Sequence, residues 1–148
     1  MSPGRKSRVK LPEDFYFHPI FVHFPQGLFP VAFAVFLFYV ATGARDFEVG
    51  AFLMAAAGAS AAPVTTITGL LDWKFRYKAY MTSVFRIKIA GAIVLMALSI
   101  PAVLLRVLSP DVAALPLAGW GWVYAGLLAA CVATCVVLGH YGGKLVFH

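Results

Sequence analysis

The amino-acid sequence predicts an all-α protein, an integral membrane four-helix bundle with both termini on the cytoplasmic side. Three observations predict it. Hydrophobic residues make up 61% of the 148 positions and charged residues 12%, whereas about a quarter of a soluble domain is charged. Mean hydropathy is +0.86. Four apolar stretches reach the ~20 residues that a spanning helix needs, and Lys and Arg gather on one side of them. The stretches do not alternate, so a β-barrel is excluded. The length suits one domain.

Residues 1–17 form a basic tail with Arg5, Lys6, Arg8 and Lys10. No short apolar core followed by a small-residue cleavage site is present, so a cleavable signal peptide is not expected. The spanning domain occupies 18–148, with spans near 19–42, 49–71, 85–108 and 120–147. Pro30, Pro63 and Pro101 lie inside the first three spans and predict bends, because each removes a backbone hydrogen bond; proline is also common in membrane helices for no further reason. The second span carries a run of small residues from Ala55 to Ala62, which suits close helix packing or leaves room for a flat cofactor.

The connections are short. Gly43 to Glu48 predicts a tight hairpin, Asp72 to Val84 a basic and aromatic loop, and Ser109 to Gly119 a loop whose Pro110 and Pro116 stop helices. Trp73, Tyr77 and Tyr80 form one interfacial aromatic belt, and Trp120, Trp122 and Tyr124 the opposite one. Lys and Arg decide the orientation. Ten of the 12 fall on the side of the termini: the four of the tail, then Lys74, Arg76, Lys78, Arg86, Lys88 and Lys144. Only Arg45 and Arg106 fall on the other side, beside Asp46, Glu48 and Asp111. The positive-inside rule then puts both termini in the cytoplasm. This clustering at helix ends also turns a pI of 9.6 away from nucleic acid and toward topology in a bacterial inner membrane.

Cys131 and Cys135 lie one helical turn apart, a spacing that strains a disulfide, and they suit helix packing. Asp72 closes the second span as a helix-end ion-pairing group or a proton-handling one. No nucleotide loop, hydrolase triad or zinc CxxC pair is present, so an accessory or electron-transfer subunit is expected rather than a stand-alone enzyme.

The chemistry points to histidine. His18 and His23 start the first span; His140 and His148 end the fourth. All four therefore gather at one interface. At 1.5 Å rise per residue, His23 lies about 7.5 Å deeper than His18, and His140 about 12 Å deeper than His148. The deep residues can then face each other across antiparallel helices, as axial ligands hold iron in b-type cytochromes. One haem b fits more easily than two. Glycines beside the ligands (Gly27, Gly139, Gly142, Gly143) let a planar ring approach the backbone, and Arg76, Arg86 and Lys88 are candidate propionate partners. His18 and His148 are capping, propionate-binding or proton-relay groups, or alternative ligands of a small metal site without porphyrin. The bland account makes His18 and His148 interfacial and solvated, and His23 and His140 packing residues.

Three motifs carry a family resemblance: His18-Pro19-Ile20-Phe21-Val22-His23-Phe24-Pro25, Thr68-Gly69-Leu70-Leu71-Asp72-Trp73, and Gly142-Gly143-Lys144-Leu145-Val146-Phe147-His148. From Phe17 to His148 the chain resembles the domain of unknown function 2231 family. Its members are small four-span proteins, sometimes fused to Rieske or cytochrome domains. The resemblance implies membrane electron transfer and matches His18, His23, His140 and His148. Many relatives also carry a histidine near the start of span three, where this chain has Arg86 and Lys88.

The function expected is thus a haem-binding subunit that exchanges electrons between the quinone pool and a redox partner. The alternatives are a non-redox scaffold subunit of a larger membrane complex, and a metal or small-solute transporter. Partners consistent with the composition are lipid, a redox protein or membrane complex, and further copies of the chain.

Overall fold

The computed structural model describes residues 17–75 and 78–146, with only the helix backbone at 17–20 and 144–146. The basic tail, Arg76 and His148 lie outside the described residues. Four helices follow one another: α1 (Phe17–Thr42), α2 (Arg45–Phe75), α3 (Ser83–Leu108) and α4 (Trp120–Val146). All four are long and apolar enough to cross a membrane. Each packs on its neighbour in sequence, and α4 closes the ring on α1. The ends of the bundle therefore differ. One carries His23 and His140 and is called here the histidine end; the other carries the α1–α2 connection and is called the turn end.

That connection is only two residues long. Gly43 adopts a left-handed φ of +73°, where other residues are strained. Its N–H bonds the Tyr39 carbonyl at 2.7 Å and so caps α1. α2 then begins at Arg45, earlier than the second span predicted from hydropathy, with Asp46 and Glu48 in its first turn. Carboxylates there meet the positive end of the helix dipole. At the other end of α2, Trp73 donates its indole N–H to the Tyr80 carbonyl at 3.0 Å. Thr82 caps α3, accepting from the Phe85 N–H at 3.3 Å.

The core is a single stripe of small and aromatic residues. Phe29, Ala32, Phe36 and Tyr39 of α1 meet Ala51, Ala55, Ala59 and Ala62 of α2; Leu95 and Ala102 of α3 and Tyr124, Leu128, Cys131 and Cys135 of α4 complete it. The small run of span two is used for close packing: a Cβ on Gly58 would lie 3.2 Å from the Phe29 ring. The segment after α3 folds back over the turn end instead of forming a solvated loop. Val112 and Ala113 are buried, and the Tyr39 hydroxyl donates to the Ala113 carbonyl at 2.8 Å. Gly121 must lack a side chain there, because a Cβ would stand 2.7 Å from the Val112 carbonyl.

The helices contain Pro25 and Pro30 in α1, Pro63 in α2 and Pro101 in α3. Pro25 has no N–H for the Phe21 carbonyl four residues back. Thr65 of α2 supplies the missing donor: its hydroxyl bonds Phe21 O at 3.0 Å while also bonding Ala61 O. The break in one helix thus ties it to the next. Thr65→Val removes that donor and keeps the shape, so we expect a loss of about 1–2 kcal/mol, read as a lower unfolding midpoint in a detergent titration. Thr65→Ser should retain most of the stability.

Candidate functional site

Polar groups concentrate at the two ends of the bundle, in opposite ways. At the histidine end, His23 and His140 are both exposed on the surface of the chain. They do not meet inside the bundle, as the depth comparison alone had allowed, and helical periodicity is the reason. At ~100° per residue, the buried positions Pro25, Phe29, Ala32, Phe36 and Tyr39 lie within ~40° of one line on α1, and His23 lies ~160° away from it. On α4 the buried Tyr124, Leu128, Cys131 and Cys135 make a similar line, and His140 lies ~140° from it.

The two helices nevertheless bring these histidines to one place. Cys135 donates its thiol hydrogen to the Pro25 carbonyl at 3.6 Å, and a Cβ on Gly139 would lie 3.9 Å from Gln26 Nε2. These contacts set the antiparallel register and put His23 and His140 within ~5 Å of each other in depth. On α1, positions facing α2 (Phe21, Leu28, Val35) lie on one side of the buried line, and positions facing α4 (Pro25, Gln26, Phe36) on the other. His23 lies beyond the α4-facing side. On α4, Leu138 packs on Gly91 of α3, whereas Gly139 faces α1; His140 lies beyond the α1-facing side. Both imidazoles thus flank the outward groove between α1 and α4. A Cβ on Gly27, Gly142 or Gly143 would meet no atom within 4 Å. His140 also stands edge-on to Tyr141, 5.3 Å between ring centres.

The other candidates are placed differently. Arg86 is exposed and Lys88 half-buried on α3, which packs on α2 and α4. Lys88 shares the inner line of α3 with Leu95, Ser99 and Ala102, and Arg86 points outward from it. Neither borders the α1–α4 groove. Of His18 only the helix backbone, in the first turn of α1, is described. Arg76 and His148 lie outside the described residues. No group of three or more His, Cys, Asp or Glu side chains converges among the described residues.

At the turn end the polar groups point inward. Arg106 of α3 grips Glu48 of α2 with two parallel hydrogen bonds, Nε to Oε1 at 2.5 Å and Nη2 to Oε2 at 2.8 Å. Their side chains are 12% and 3% exposed, and the guanidinium lies 5.4 Å over the Phe52 ring. The hydroxyls of Tyr124 and Ser99 are buried without a hydrogen-bond partner in the chain. Counted by side alone, Glu48 and Arg106 pass for flanking charges. Spacing carries a signal that they are not: Glu48 precedes the buried Ala51, Ala55 and Ala62 at helical intervals, and Arg106 follows Leu95, Ser99 and Ala102.

Fold and sites together define a four-span integral membrane bundle with a surface histidine pair at one end and a buried ion pair at the other. The chain belongs to the DUF2231 family, described as predicted membrane proteins, whose model matches residues 15–148. No curated protein and no solved structure matches it.

Two predictions follow from these contacts. Arg106→Met leaves the buried Glu48 carboxylate unpaired and should cost about 3–5 kcal/mol, whereas Glu48→Leu with Arg106→Leu should recover most of that; a double-mutant cycle of unfolding midpoints measures both. Cys131 and Cys135 are free and buried, so both should resist a membrane-permeant maleimide in the folded protein and react fully after SDS, as mass spectrometry would show.

Proposed function

We propose that the chain is a membrane-embedded b-type haem-binding subunit that carries electrons between the quinone pool and a redox partner. The observation that carries it is the pair His23 and His140, at matching depth on neighbouring helices and on one outward groove. An ionisable side chain facing hydrocarbon is expensive, and neutral imidazole is the commonest metal ligand in proteins. Two imidazoles from two helices supply the donor set that a b-type haem needs. The donor chemistry of the two imidazoles suits the group. Bound there, it would supply one-electron transfer.

The protein's part is positional. The Cys135–Pro25 and Gln26–Gly139 contacts hold α1 and α4 in register, so the two imidazoles keep a common depth. The groove opens sideways toward lipid, the direction from which a quinone arrives. One pair suits one haem. Lys and Arg crowd the histidine end, which favours a cytoplasmic location for that end and for both termini. This supports placement in a bacterial inner membrane, with the redox partner or a larger complex docking from that side.

Protein purified from haem-replete cells should show a Soret band and a sharp reduced α-band, with iron in proportion to chain. His23→Ala and His140→Ala should each abolish or shift both bands while the variants remain folded. A colourless, iron-free wild-type protein, or variants with an unchanged spectrum, would favour a non-redox scaffold in which the two histidines hydrogen-bond a neighbouring subunit.

A further inference from the structure

The turn end holds more hydrogen-bonding capacity than the chain satisfies. Arg106 carries five N–H donors, and Glu48 takes two of them. The Tyr124 and Ser99 hydroxyls are 1% and 0% exposed and make no hydrogen bond within the chain. Ser99 lies seven residues before Arg106 on the same face of α3, about 10 Å deeper. Buried polar atoms in folded proteins are paired with protein or with ordered water. In hydrocarbon this requirement is stricter, because each unsatisfied group costs several kcal/mol.

There is also an entrance. A cleft with a cavity of about 10 Å³ lies against Glu48, lined by Tyr39, Arg45, Asp111 and Ala113. That is the volume of about one water molecule. It sits between the end of α1, the start of α2 and the segment after α3. The groups facing it have distinct roles. Tyr39 is committed to the Ala113 carbonyl, Glu48 to Arg106, and Asp111 and Arg45 are exposed at the rim. Tyr124 of α4 stands edge-on to Phe36, which also neighbours Tyr39 at the cleft.

We propose that the turn end binds internal water, at the cleft against Glu48 and at the buried Tyr124 hydroxyl. Water in the cleft donates to the Glu48 carboxylate, and water at Tyr124 accepts from the phenol hydroxyl. This hydration is independent of the histidine groove and stands whether or not haem binds there.

Radiolytic hydroxyl-radical labelling of the purified full chain tests it, with mass spectrometry as readout. Water held beside a buried ring yields radicals in place, so Tyr124 should be labelled severalfold more than Phe29 and Phe36, which are equally buried. After rapid mixing into heavy-oxygen water, the label on Tyr124 should lag behind that on the exposed Trp120 and Trp122. Glu48→Leu with Arg106→Leu should lower the Tyr124 label toward the Phe36 level. Equal labelling of Tyr124 and Phe36 in the wild type would overturn the proposal without needing any variant. So would heavy oxygen appearing on Tyr124 as fast as on Trp120, which would mean open solvent instead of bound water.

Discussion

Inside a bilayer a carbonyl, hydroxyl or charge has no solvent to turn to, and each one left without a partner costs several kcal/mol. Much of this structure can be traced to that constraint. Pro25 frees the Phe21 carbonyl of α1, and Thr65 reaches across from α2 to satisfy it. Glu48 and Arg106 enter the apolar interior only as a bidentate pair. The Tyr39 hydroxyl finds the Ala113 carbonyl and folds the segment after α3 down over the bundle. These bonds join α1 to α2, α2 to α3, and α1 to the connection before α4. Polar satisfaction thus fixes how the helices meet, while the small residues along α2 set how closely α1 can approach.

The same constraint separates the two ends. At the turn end the polar groups are collected within the bundle and oppose one another. At the histidine end, His23 and His140 stand on the outward side of the α1–α4 groove. A polar group held at the surface of a membrane bundle can be reached by something that is not part of the chain. A polar group held in the interior serves the chain's own packing. This asymmetry is why the histidine pair is the better candidate for an external cofactor and the ion pair for an internal hydration site.

Much of the architecture was legible in the chain. The span lengths, the short first connection and the clustering of histidines at one end follow from hydropathy and from an even number of spans. Matching depth for His23 and His140 follows from counting residues, and the register set by Cys135 on Pro25 agrees with it. The direction of the two imidazoles did not follow, because depth along a helix says nothing about azimuth. The buried stripe was in principle available from the spacing Pro25, Phe29, Ala32, Phe36 and Tyr39, but in a membrane helix the lipid-facing side is as apolar as the core. Glu48 and Arg106 were hidden for a related reason: a charge near a span boundary has the same sequence signature whether it snorkels to water or pairs inside.

The sequence by itself determined that this protein has four membrane-spanning helices and that His23 and His140 share one end, since length, apolarity and alternation of direction require nothing from partner residues. Only the tertiary structure decided which faces touch. It turned His23 and His140 outward onto a common groove, drew Glu48 and Arg106 together, and paired Thr65 with a carbonyl in another helix. Those outcomes depend on helix rotation and register. In an apolar chain these are set by a few hydrogen bonds and close contacts between residues far apart in sequence.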